Sequence, residues 1–141
     1  MKSSLIALAG IAAALLAFPG CAQEDSTSIK AAEASSEQWL QSLDAADYRT
    51  TWQSAAAVFQ KGVSERGWEQ AARSVREPLG SVVARKLKTA QFSRTLPGAP
   101  DGEYVVIQYD TRFQHKAQAI ETVTPMLDAD GTWKVSGYYV R

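Results

Sequence analysis

A glutamate on the covered face of a β-strand is the residue in this chain best placed to do chemistry, and Glu121 occupies such a position. An isolated carboxylate there has to be paired, hydrogen-bonded or protonated. Neighbouring strands bring Tyr109 and Tyr139 to the same face, and each phenol can donate a hydrogen bond to it. A carboxylate flanked by phenols has the makings of a general base, given an open pocket around it. Trp52, from a preceding helix, joins Tyr109, Glu121 and Tyr139 as a candidate wall of that pocket. The same carboxylate serves structure if it only accepts hydrogen bonds, or pairs with a helix arginine such as Arg49 or Arg76. The two readings differ in whether space opens beside Glu121.

The elements that must position these groups run from Gly102 to Arg141. Val105, Ile107, Tyr109, Thr111 and Phe113 fill every second position, the period of a half-buried strand. Val123, Pro125 and Leu127 continue the pattern in a second run, and Trp133, Val135, Gly137 and Tyr139 in a third. Three-residue loops at Gln114-His115-Lys116 and Ala129-Asp130-Gly131 pair Phe113 with Ala117 and Asp128 with Thr132, so the odd-numbered residues share one face. Asp110 and Arg112 then point outward, and His115 lies at a hairpin tip as a surface residue. A further strand is expected over residues 81–94, where Arg85, Lys86 and Lys88 read as a solvated, edge-protecting face rather than a contact for acidic lipid or a partner. The turn from Leu96 to Gly102 is too long to set that strand's register.

Upstream lie three amphipathic helices. The first carries Ala32, Trp39, Leu40 and Leu43 at helical spacing. The second is capped by Asp47, carries Tyr48, Trp52, Ala55, Ala56 and Phe59, and ends at Gly62. The third is capped by Ser64, carries Trp68, Ala71, Ala72, Val75 and Leu79, and stops at Pro78-Leu79-Gly80. Large aromatics at these positions are read as core packing.

The length of 141 residues suits a single domain, with 45% hydrophobic residues to fill its core. Fifteen basic residues balance fifteen acidic ones, which leaves no electrostatic footprint for nucleic acid. One His and one Cys supply too few ligands for a zinc site, and no motif calls for a cofactor. Residues 1–22 have a one-lysine start, an apolar run from Leu5 to Phe18 and small residues near a cleavage point, the pattern of a signal peptide. Cleavage before Cys21 leaves a lipid-modified cysteine, although Phe18 and Pro19 depart from the usual lipobox; cleavage after Ala22 releases a soluble chain. Either way no thiol nucleophile remains in the body. Residues 23–28 read as a flexible tether, and 29–141 as a single globular domain.

Three helices followed by a four-stranded antiparallel meander that curls around them resemble the cone-shaped α+β fold of the nuclear transport factor 2-like superfamily. A closer resemblance is to an uncharacterised bacterial family, domain of unknown function 4019. It is carried by Ala46, Tyr48 and Trp52, by Trp68, by Val75-Arg76-x-Pro78-Leu79-Gly80, by the run from Leu96 to Tyr104, by Glu121-Thr122-Val123, and by Trp133-Lys134-Val135-x-Gly137-Tyr138-Tyr139. The resemblance implies export and a pocket inside the cone, which some superfamily members use for small ligands and some for proton transfer. The resulting expectation is a non-enzymatic envelope domain, periplasmic or anchored to the outer membrane through Cys21, that binds a small ligand or an envelope protein. The alternative is an isomerase- or hydratase-type enzyme using Glu121 with Tyr109 and Tyr139.

Overall fold

A computed structural model describes residues 20–141. Residues 1–19 of the expected leader, and the side chain of Cys21, lie outside the described residues. The architecture is α+β: helices α1 (Gly20–Asp44), α2 (Tyr48–Gln53), α3 (Ala57–Gly62) and α4 (Glu65–Leu79) precede strands β1 (Val82–Ser93), β2 (Tyr104–Phe113), β3 (Lys116–Leu127) and β4 (Trp133–Val140). The strands form one open antiparallel sheet in the order β1-β2-β3-β4.

Four helices replace the expected three because the second divides. Ala56 turns its backbone N–H out of the helix to donate to the Val135 carbonyl at 2.8 Å. Asp128, from beyond β3, then accepts the Ala57 N–H at 3.0 Å and caps α3 from a distance. The other caps form as expected: Asp47 accepts from Thr50 N–H, Ser64 from Gly67 N–H, and Gly80 closes α4 at φ 74°. Residues 23–28, expected to be flexible, form early turns of α1 and are largely exposed; among the described residues the first buried one in that helix is Ala32.

α1 lies against the sheet and contributes Ala32, Trp39, Leu40 and Leu43 to a core shared with Val105, Ile107, Tyr109, Val123 and Val135. Three indole N–H groups are satisfied inside this half of the molecule. Trp39 donates to the Thr51 carbonyl at 2.9 Å, Trp68 to the Thr51 hydroxyl at 2.8 Å, and Trp52 to the Val63 carbonyl at 2.8 Å. Trp39 also packs on Trp68 and Tyr138, with ring centroids 5.8 and 5.5 Å apart. On α4 the buried stripe is Trp68, Ala72 and Arg76, while Val75, expected inside, is 43% exposed. Arg76 has taken the inner position because a carboxylate waits for it there.

The meander register agrees with expectation at its centre and departs from it at the first hairpin and partway along β4. Tyr109 pairs with Glu121 and Ile107 with Val123. At the first hairpin Phe113 faces Lys116 rather than Ala117, so the loop is Gln114-His115. The second hairpin closes as expected, with Asp128 N–H donating to the Thr132 carbonyl at 2.8 Å. Farther along, an irregularity separates Pro125↔Val135 from Thr124↔Gly137, with Ser136 as the extra residue, its hydroxyl donating to the Thr124 carbonyl at 2.7 Å. A bulge of one residue inverts every side chain beyond it. Tyr138 therefore points inward beside Val123, and Tyr139 pairs with Thr122 on the outer face, 54% exposed.

Candidate functional site

The inner face of the sheet places Glu121 where alternation put it, with no exposed surface. Its two oxygens are taken up by four donor groups of the protein itself. Arg85 Nε donates to Oε1 at 2.7 Å and Arg85 Nη2 to Oε2 at 3.1 Å. Thr111 Oγ1 donates to Oε1 at 2.6 Å and Tyr138 Oη to Oε2 at 2.6 Å. A carboxylate has about four lone-pair sites, so none is left for a substrate proton. The arginine is neither Arg49 nor Arg76, the two helix candidates. Arg49 is paired at the surface with Glu65 at 3.5 Å, and Arg76 donates from Nη2 to Asp44 Oδ1 at 2.8 Å.

Arg85 links the two carboxylates. Its Nη1 reaches Asp44 Oδ2 at 2.7 Å and its Nη2 reaches Asp44 Oδ1 at 3.0 Å, so its fork lies between Asp44 and Glu121. Two carboxylates and two guanidiniums thus close a neutral network, its members drawn from the end of α1, from α4 and from all four strands. Burial opposes the charge on Arg85, but hydrogen bonds from it to Asp44 and Glu121 raise its pKa above the ordinary value. At Asp44 burial likewise resists ionisation, and hydrogen bonds from Arg85 and then Arg76, together with their charges, hold the carboxyl below its usual range. The Tyr138 phenol is pushed well above the ordinary value, first by burial and then by the Glu121 charge.

The other expected pocket residues separate. Tyr109 is buried on the inner face, but its hydroxyl has no hydrogen-bond partner among the described residues and does not reach Glu121. Burial, then the charge of Glu37 on α1, pushes its phenol up to about 12. Tyr139 stands on the opposite face, so the row Tyr109, Glu121, Tyr139 is corrected to a cluster of Thr111, Glu121 and Tyr138. Trp52 packs against the core with its N–H spent on Val63, and neither cavity described below is lined by it. His115 is exposed at the hairpin tip, its backbone N–H donating to the Leu79 carbonyl at 2.9 Å.

Concave space occurs elsewhere. A groove of about 800 Å³ runs over β1, β2 and β3 to Arg141, lined by Lys86, Lys88, Asp110, Arg112 and Ile120 among others. A smaller cleft of about 280 Å³ lies between α1, α2 and β4, walled by Ser35, Trp39, Thr50, Trp133 and Lys134. Glu121 lines neither. Among the described residues no helix is long and apolar enough to cross a membrane, and no group of three or more His, Cys, Asp or Glu could hold a metal ion.

An open four-stranded antiparallel sheet, backed by helices and fastened by a neutral ion network that runs from the buried Glu121 to Asp44 at the surface, defines an α+β domain. Over residues 35–138 the chain matches the family described as Protein of unknown function (DUF4019), and it belongs to that family. Nothing matches among curated proteins or among solved structures.

Proposed function

We propose that this chain is an exported envelope domain that works by binding rather than by catalysis, and that its binding surface is the outer face of the sheet. The observation that carries this reading is the closure of Glu121 by Arg85, Thr111 and Tyr138. A general base needs a free lone pair and a site for the reacting atom about 3 Å away; here both are filled by the protein. The larger concave space runs mainly over the outward side chains of β1 to β3, although Arg85, Thr111 and Ala119 also border it. The order of helices and meander supports a nuclear transport factor 2-like cone whose interior is packed with side chains.

The leader pattern and Cys21 support export and a lipid anchor in the outer membrane. In that arrangement the exposed early turns of α1 act as a rigid spacer: from Cys21 to Ala32 the helix rises about 17 Å. Native mass spectrometry of the chain purified from the envelope of its own host tests both parts. The expected result is a diacylated or triacylated Cys21 and a non-covalent ligand that K86Q/R112Q releases and Y139F retains. A chain beginning at Gln23 overturns the anchor. Turnover of a bound molecule that E121Q abolishes while the fold persists overturns the non-enzymatic reading.

A further inference from the structure

We infer that the outer-face groove is an anion site for an amphiphile: a phosphate or carboxylate head held by Lys86 and Arg112, with an alkyl part lying across Ile120. This inference deepens the binding role proposed above and rests on it.

The chain as a whole is balanced in charge, yet the charges are sorted by element. α1 carries Glu24, Asp25, Glu33, Glu37 and Asp44 against Lys30, whereas the strands carry Arg85, Lys86, Lys88, Arg112, Lys116 and Lys134 against Asp110 and Glu121. Arg85 and Glu121 cancel inside, Lys88 pairs with Asp110, and Lys134 pairs with Asp130, which leaves Lys86, Arg112 and Lys116 uncompensated by any salt bridge among the described residues. The outer face therefore presents a cationic surface despite the zero net charge of the chain, and such a field favours anionic ligands.

Strand pairing places the groove residues. Lys86 pairs with Asp110, Asp110 with Ile120, and Ile120 exchanges both backbone hydrogen bonds with Arg141, so these four form one row across the sheet. Arg112 follows two residues after Asp110 on β2, which makes it the diagonal neighbour of Lys86, within about 7–8 Å. Among the described residues no salt bridge engages Lys86, Arg112 or Arg141, while Asp110, the groove's one acidic residue, is held by Lys88 at 3.4 Å. Two unpaired cations at diagonal spacing suit one tetrahedral or planar oxyanion, the guanidinium offering two parallel donors.

The next residue along the row is apolar. Ile120 lies one strand beyond Asp110, and Ala84, opposite Arg112, adds a second small apolar contact. The aliphatic stems of Lys86 and Arg112 extend that floor. A free inorganic anion would leave it unused, and a neutral chain would leave the cations unmatched.

The test is calorimetric titration of the full chain with decyl phosphate below its micelle-forming concentration, alongside inorganic phosphate, decyl maltoside and vesicles containing anionic lipid. The expected result is saturable 1:1 binding of decyl phosphate that weakens with salt. Inorganic phosphate should bind at least tenfold more weakly, and decyl maltoside should not bind. K86Q/R112Q and I120S should each reduce affinity at least tenfold, while unchanged circular dichroism and thermal unfolding show that both variants are folded. No binding of decyl phosphate, or equal binding by wild type and K86Q/R112Q, overturns the inference. Binding to vesicles without binding of monomeric decyl phosphate overturns it in favour of a membrane surface. If native mass spectrometry instead finds a neutral ligand released by the groove variants, the amphiphile assignment falls while the outer-face binding role stands.

Discussion

At the scale of single residues, two inward-facing tyrosines have opposite situations. Tyr138 spends its hydroxyl on Glu121 at 2.6 Å, while the Tyr109 hydroxyl is buried without a partner among the described residues. A buried, unsatisfied hydroxyl costs about 1–3 kcal/mol. Tyr109→Phe should therefore leave stability unchanged or raise it by about 1 kcal/mol, as read by urea unfolding. The same variant should blunt the alkaline sensitivity of the fold. With its phenol at about 12 in the folded state against about 10 unfolded, Tyr109 adds no pH dependence below about 10, and the fold loses stability as pH rises from there through 12. Asp44 works at the other end of the scale. Its folded pKa is depressed, so its contribution is present above the unfolded value of about 3.9 and is lost as pH falls through the folded one. Unfolding midpoints between pH 2 and 6 should fall less steeply for Asp44→Asn than for wild type. Glu121 itself was legible because alternation depends only on residue type. Arg76 was legible only as one possible partner of Glu121; that it meets Asp44 instead was not, because the sequence does not show which carboxylate faces the i+8 position of the stripe Trp68, Ala72.

At the scale of elements, the joint between α4 and β1 holds the β2–β3 hairpin in place. Leu79 and Ser81 offer their carbonyls to His115 and Gln114 at 2.9 and 2.8 Å, with Gly80 between them at φ 74°. A methyl group on Gly80 would meet Gln114 Cβ and His115 Cδ2, both at 2.9 Å. Gly80→Ala therefore combines a left-handed backbone with a steric clash. A loss of about 1–3 kcal/mol is expected, with early amide exchange at the hairpin tip in hydrogen-exchange measurements. The central strands could be read from the sequence because a short hairpin and strict alternation set their register. β4 could be read only as far as Val135, since the bulge at Ser136 has no signature stronger than the glycine after it, and the Tyr138-Tyr139 doublet fits either phase. β1 could be placed as a strand but not in register, because ten residues intervene between Ser93 and Tyr104. That gap hid the inward turn of Arg85, and with it the true partner of Glu121.

At the scale of the whole molecule, one network of six side chains ties the elements together: Asp44 from α1, Arg76 from α4, Arg85 from β1, Thr111 from β2, Glu121 from β3 and Tyr138 from β4. Every strand and both long helices contribute, so the network acts as a clasp between the helical layer and the sheet. A clasp of this kind leaves no free lone pair on Glu121 at the inner face. Buried pairs add little over a well-packed apolar core, yet breaking one by removing a single partner is costly, because the other charge is left buried. Glu121→Gln keeps the volume and sets an amide donor against the donors of Arg85. Equilibrium urea unfolding of Glu121→Gln beside wild type is the most direct measurement of the clasp. The expected result is a loss of about 3–5 kcal/mol with an unchanged denaturant slope; a stability equal to or above that of wild type would contradict the clasp and return Glu121 to the list of functional carboxylates.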